Sequence, residues 1–141
     1  MGVAVDIRPE TDYLHTAVAG DFTVEEVKSA LSTIIQAADQ HQQINVLIDC
    51  LRLSGDPSLR ERFEVVSYAF QLRVGRLLRG RRPRLRTAIV AAPPLLHPSR
   101  YAVRLLVERN MNVNICEQME EAMEWLRMPG NPADLEPPPS P

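Results

Sequence analysis

Short β-branched runs alternate along this chain with longer stretches whose apolar residues recur every three or four positions. That repeated switch between a period of 2 and a period of 3.6 constrains the fold more than any other feature. Residues 3–7 and 13–18 have strand length and enclose Pro9-Glu10-Thr11-Asp12, which is turn chemistry, so they predict an opening antiparallel pair. Thr23-Val24-Glu25-Glu26 has the form of a capping box, with Thr23 accepting from a free helix N–H and Glu26 reaching back. Val24, Val27, Leu31, Ile34, Ile35 and Ala38 then mark one buried face of a helix that ends near Gln40 and His41. Residues 44–49 read as a buried central strand. After it, Asp56 offers an N-cap and Pro57 a first helical residue for a second helix over 57–79, which buries Leu59, Phe63, Val66 and Phe70 and which Gly75 divides. Residues 85–91 form another strand, ended by Pro93-Pro94. A third helix follows from Pro98 or Ser99 with Ala102, Leu105 and Leu106 inward, then a last strand over 113–116, and a final helix marked by Met119, Ala122, Met123 and Leu126. The order β-β-α-β-α-β-α-β-α predicts an α/β domain with a mainly parallel sheet, an N-terminal antiparallel hairpin strand and right-handed crossovers.

Length decides how many such units there are. A chain of 141 residues supports one core, since two would each bury too little apolar surface. We expect a single domain over 1–127 and, from the Pro-rich composition of 128–141, a disordered or extended tail. No apolar stretch approaches the ~20 residues of a bilayer span, and the N-terminus has no basic start followed by an apolar run, so a cytoplasmic protein without a membrane span is expected. Cys50 and Cys116 each belong to an apolar run, which predicts reduced core thiols rather than a disulfide or a metal site.

Catalytic signatures are missing from the loops where a parallel sheet would place them. There is no G-x-G-x-x-G, no G-x-x-x-x-G-K-[ST] and no G-x-S-x-G, and His15, His41 and His97 stand far from one another and from metal-ligand spacing. Asp49 at a strand end resembles a phospho-acceptor position, but the only lysine, Lys28, lies inside the first helix. We therefore expect no enzyme activity, no cofactor and no metal.

Two segments stand out as binding elements. The loop Ser54-Gly55-Asp56-Pro57-Ser58 puts hydroxyls and a glycine at a helix N-terminus, where an anion or a phosphorylated Ser54 or Ser58 would find free N–H groups; the competing reading is plain capping. The chain carries net charge −2, yet residues 52–109 hold thirteen Arg against four Asp or Glu, a formal +9. Within that stretch Arg73, Arg76, Arg79, Arg81 and Arg82 form a candidate basic interaction face, continued by Arg84 and Arg86. The competing reading is a solvated surface stabilised by the helix dipole. The run lacks interleaved aromatics for base stacking, which argues against nucleic acid and favours an acidic protein partner.

The sequence of elements around Val46-Leu47-Ile48-Asp49, Leu53-Ser54-Gly55, Ala88-Ile89-Val90, Val113-Asn114-Ile115-Cys116 and Met119-Glu120-Glu121-Ala122-Met123-Glu124-Trp125-Leu126 resembles the STAS domain. This is the fold of bacterial anti-sigma-factor antagonists, and the nearest likeness is to its divergent SpoIIAA-like branch, which shares an architecture with lipid-carrier domains. The resemblance implies a non-enzymatic regulatory module acting through a protein partner, with a homodimer compatible. Its lipid-carrier side implies an alternative, a carrier or sensor of a small apolar or lipid-like ligand between sheet and helices. In regulatory members the loop after the central strand holds an Asp-Ser-Ser/Thr-Gly segment whose serine is phosphorylated. Here Ser54-Gly55 is kept, but Leu53 stands where an acidic or hydroxyl residue is expected.

Overall fold

The computed structural model describes residues 2–80, 85–108 and 111–128. Its elements are β1 (Ala4–Pro9), β2 (Leu14–Asp21), α1 (Val24–Gln40), β3 (Asn45–Ser54), α2 (Leu59–Leu78), β4 (Arg86–Val90), α3 (Tyr101–Glu108), β5 (Val113–Cys116) and α4 (Met119–Arg127), in the expected order. The five strands lie in the order β1-β2-β3-β4-β5; β1 pairs antiparallel with β2, and every other pair is parallel. Each parallel crossover carries one helix, as parallel strands require.

Strand alternation divides the side chains between two layers. Leu14, Thr16 and Val18 of β2 and Val46 and Ile48 of β3 are buried on the face that receives α1. Leu47, Ala88, Val90 and Cys116 are buried on the opposite face, under Ala122 and Leu126 of α4. Thr16 satisfies its buried hydroxyl by donating to the Leu47 carbonyl at 2.7 Å.

Several local expectations are corrected. β3 runs to Ser54 rather than Asp49, because β2 extends to Asp21 and pairs with it there, and Phe22 N–H donates to the Ser54 carbonyl at 2.8 Å. One extra residue of β3 sits between the pairs Ala17–Asp49 and Ala19–Arg52, a bulge that returns Leu53 to the buried face. Asp56 does not cap α2. The chain turns at Gly55 with φ +142° and buries Pro57, so Ser58 takes the cap: its hydroxyl accepts from Glu61 N–H at 3.1 Å while the Glu61 carboxylate accepts from Ser58 N–H at 2.9 Å. The reciprocal capping box expected at Thr23 is only half made, since Thr23 accepts from Glu26 N–H but the Glu26 carboxylate accepts instead from Val3 N–H beside β1. α2 passes through Gly75 unbroken, and Leu59 and Phe63 are exposed rather than buried. The tail expected over 128–141 lies outside the described residues beyond Met128.

Candidate functional site

α2 does not lie on the sheet. It packs against α1 and α3, and no strand makes a comparable contact with it, although it passes over β3 and β4 in the chain order of the crossover. An apolar chamber of about 240 Å³ occupies the space beneath it. Val46 and Ile48 of β3, Ile89 of β4 and Ile115 of β5 line its floor, and Val65, Val66 and Ala69 of α2 face it from above. Ile89 is only half-buried although β4 is an interior strand, because the chamber rather than a packed helix stands over it. Interiors normally close such a space by packing, so something must hold α2 away from the floor.

Two buried arginines near the ends of α2 do so. At the N-terminal end, Arg62 is 7% exposed; its Nε donates to the Pro57 carbonyl at 2.9 Å, Nη2 to the Pro94 carbonyl at 2.9 Å, and Nη1 to the Leu95 carbonyl. At the other end, Arg76 is also 7% exposed and forks onto Asp39 of α1, with Nη2 at 2.9 Å and Nε at 3.1 Å from the same carboxylate oxygen. A buried guanidinium is costly unless its donors are met, so both ends of α2 are tied to fixed acceptors. The apolar residues between them then bridge the chamber.

This geometry separates the expected basic face into parts. Arg76 does not belong to it, being buried in the pair with Asp39. Arg73 is half-buried and borders the chamber. Arg79 is the exposed C-cap of α2, and Arg81, Arg82 and Arg84 lie outside the described residues. Arg86 is 5% exposed on the other side of the sheet, where it donates to the Trp125 carbonyl at 3.0 Å and the Leu126 carbonyl at 3.2 Å, with its guanidinium 4.6 Å from the Trp125 ring. It closes the C-terminal end of α4 and has no part in a surface.

The loop after β3 is likewise resolved residue by residue. Ser54 is exposed at the end of β3, and Asp56 is exposed with its carboxylate 3.4 Å from Arg62. Gly55 has φ +142°, and an added Cβ would meet the Phe22 Cβ at 2.9 Å. Ser58 uses its hydroxyl in the α2 cap. The chamber is the feature that sequence reasoning did not locate, although the many aliphatic residues suggested one. Its one local signal was Cys50, expected in the core; it is half-buried and borders the chamber, and burial, followed by the neighbouring Asp49 charge, pushes its thiol up to about 12. Cys50 and Cys116 are both free. Among the described residues no cluster of His, Cys, Asp or Glu is arranged to hold a metal, and no helix is long and apolar enough to cross a membrane.

Comparison with known proteins agrees with the geometry. The SpoIIAA-like family profile matches residues 13–127. Among solved structures, the chain is similar to an uncharacterised protein of the DUF3478 family with a SpoIIAA-like fold from Shewanella loihica, at TM-score 0.52 and 22% identity, covering 89% of this chain and 93% of that one. It is also similar to an anti-sigma factor antagonist from Mycobacterium paratuberculosis, at TM-score 0.58 and 9% identity, covering 90% of this chain and 96% of that one. At these identities the likeness concerns the fold. No curated protein matches the chain. A β-β-α-β-α-β-α-β-α order, a mostly parallel five-stranded sheet and a family match across most of the chain have one reading: this chain belongs to the SpoIIAA-like family.

Proposed function

We propose that this protein is a non-enzymatic regulatory module whose input is a small apolar ligand held beneath α2 and whose output is contact with another protein. The chamber carries the proposal. A space of about 240 Å³ with aliphatic floor and roof favours an apolar guest, and it lies between the sheet and a helix that also presents exposed apolar side chains. The docking surface is the Ser54–Ser58 segment with the adjoining face of α2, where Leu51, Leu59 and Phe63 are 49%, 51% and 42% exposed. Exposed apolar side chains near the end of β3 and the start of α2 suit a protein contact better than solvent. A ligand that props or relaxes α2 would alter that surface directly, because the same helix forms both.

Phosphorylation, if this module uses it, belongs to Ser54. Its side chain is exposed at the end of β3, whereas the Ser58 hydroxyl is already engaged in accepting from Glu61 N–H at the start of α2. Native mass spectrometry of protein purified from its own host tests the ligand: a retained apolar mass, lost on denaturation, is the expected result, and a clean apo mass with no thermal shift from added apolar compounds overturns it. Mapping phosphosites on the same material tests Ser54 separately.

A further inference from the structure

The ionisable groups on the chamber wall are all of one sign. Apart from the Cys50 thiol, the described lining residues that titrate are Arg62, Arg73, Arg76, His97 and Arg100, with no carboxylate among them. Arg62 and Arg76 are committed to the contacts that hold α2. Arg100 is placed differently. It immediately precedes α3, has φ +53°, and keeps its side chain 48% exposed; Nη1 donates to the Ile115 carbonyl at 3.2 Å, and Nη2 is 3.9 Å from the Glu117 carboxylate, too long for a hydrogen bond. Among the described residues its side chain makes no other hydrogen bond, which leaves donors for a ligand at the chamber rim.

His97 adds a second donor of known polarity. The Ser99 backbone N–H donates to its Nδ1 at 3.1 Å, so Nδ1 is the acceptor and the ring proton of the neutral form sits on Nε2. Both residues follow β4, at the carboxyl edge of the parallel strands, where folds of this kind receive ligands. The chamber volume limits what accompanies the charge. An apolar cavity of about 150 Å³ admits one benzene, so about 240 Å³ admits on the order of ten carbons, which is one medium-length chain and far less than two long ones.

Resting on the ligand-binding reading above, we propose that the chamber takes a single-chain fatty carboxylate, its chain beneath α2 and its carboxylate at the rim against Arg100 and His97. Planar guanidinium and carboxylate match geometrically, and the apolar chamber beneath holds the chain so that the head stays beside Arg100. Glu117 then competes with the ligand head for Arg100 and moderates affinity.

Calorimetric titration of the full chain with decanoate, decanol and decyltrimethylammonium, each below its micelle concentration, tests this. Decanoate is expected to bind at least about tenfold more tightly than decanol, and the ammonium amphiphile weakest of the three. Arg100→Gln should bring decanoate down to the level of decanol without changing decanol itself, and Glu117→Gln should raise decanoate affinity. Equal binding of decanol and decanoate by the wild type overturns the carboxylate assignment while leaving an apolar ligand in place. Should Arg100→Gln fail to fold, an unchanged decanoate affinity in Glu117→Gln overturns it instead. If none of the three compounds binds, the ligand-binding reading itself falls.

Discussion

Cys50 and Gly55, five residues apart in one β-strand and its following loop, show how much a single position depends on what lies across from it. The apolar run 44–51 was enough to place Cys50 in the core, but not to place it beside a void. Its thiol responds to that setting: folding raises its pKa from 9.0 to about 12, so the folded chain holds this proton in a window where the unfolded chain releases it. The stabilisation is complete below pH 9.0 and is lost as pH rises toward about 12. In a Cys116→Ser background, a thiolate-selective reagent should modify Cys50 many-fold more slowly than free cysteine at pH 8, with a rate still climbing at pH 10.5; a plateau near pH 9 contradicts the assignment. Gly55 was legible as a loop residue, but its necessity was not, because that comes from Phe22 in the adjacent segment. Gly55→Ala should lower stability by about 1–3 kcal/mol in urea titration, combining the left-handed backbone with a 2.9 Å approach to the Phe22 Cβ.

Among the elements, α2 departs furthest from the expectation set by its sequence. Its limits were close to those predicted, because capping and periodicity are local. Which of its faces is buried was legible only in part: Val66 is buried as expected and Phe70 half-buried, but Leu59 and Phe63 are exposed while Arg62 and Arg76 are buried. An arginine enters an interior only when acceptors wait for it, and those acceptors belong to α1 and to the segment after β4. Arg76→Ala should therefore destabilise the protein by about 2–4 kcal/mol, since it removes a buried guanidinium and leaves the half-buried Asp39 without its partner, whereas Arg79→Ala should stay within about 0.5 kcal/mol. Equal losses for the two in chemical denaturation would remove the distinction. Filling the chamber from above is the complementary change: Ala69→Phe should cost no more than about 1–3 kcal/mol of strain while abolishing uptake of any apolar ligand.

Across the whole molecule, the excess of positive charge over residues 52–109 divides between interior and surface. Arg62, Arg76 and Arg86 hold helices in place, so of the expected basic face Arg79 is the exposed member among the described residues, and Arg81 and Arg82 follow it in sequence. Replacing those three by Gln should leave the melting temperature nearly unchanged and remove salt-sensitive, nuclease-resistant capture of acidic partners; undiminished capture would make them a solvated surface. By itself the sequence determined the order of the elements, their approximate limits, the parallel sheet and the family, because strand and helix periodicities and turn residues act over a few positions. Only the tertiary structure decided that a chamber exists and which arginines build it. A void is set by the distance between layers, and here that distance depends on hydrogen bonds from Arg76 to Asp39, 37 residues away, and from Arg62 to the Pro94 and Leu95 carbonyls, 32 and 33 residues away. Nothing local distinguishes those two side chains from the exposed Arg79 beside them, since what separates a buried guanidinium from a solvated one is the acceptor brought to it by the rest of the fold.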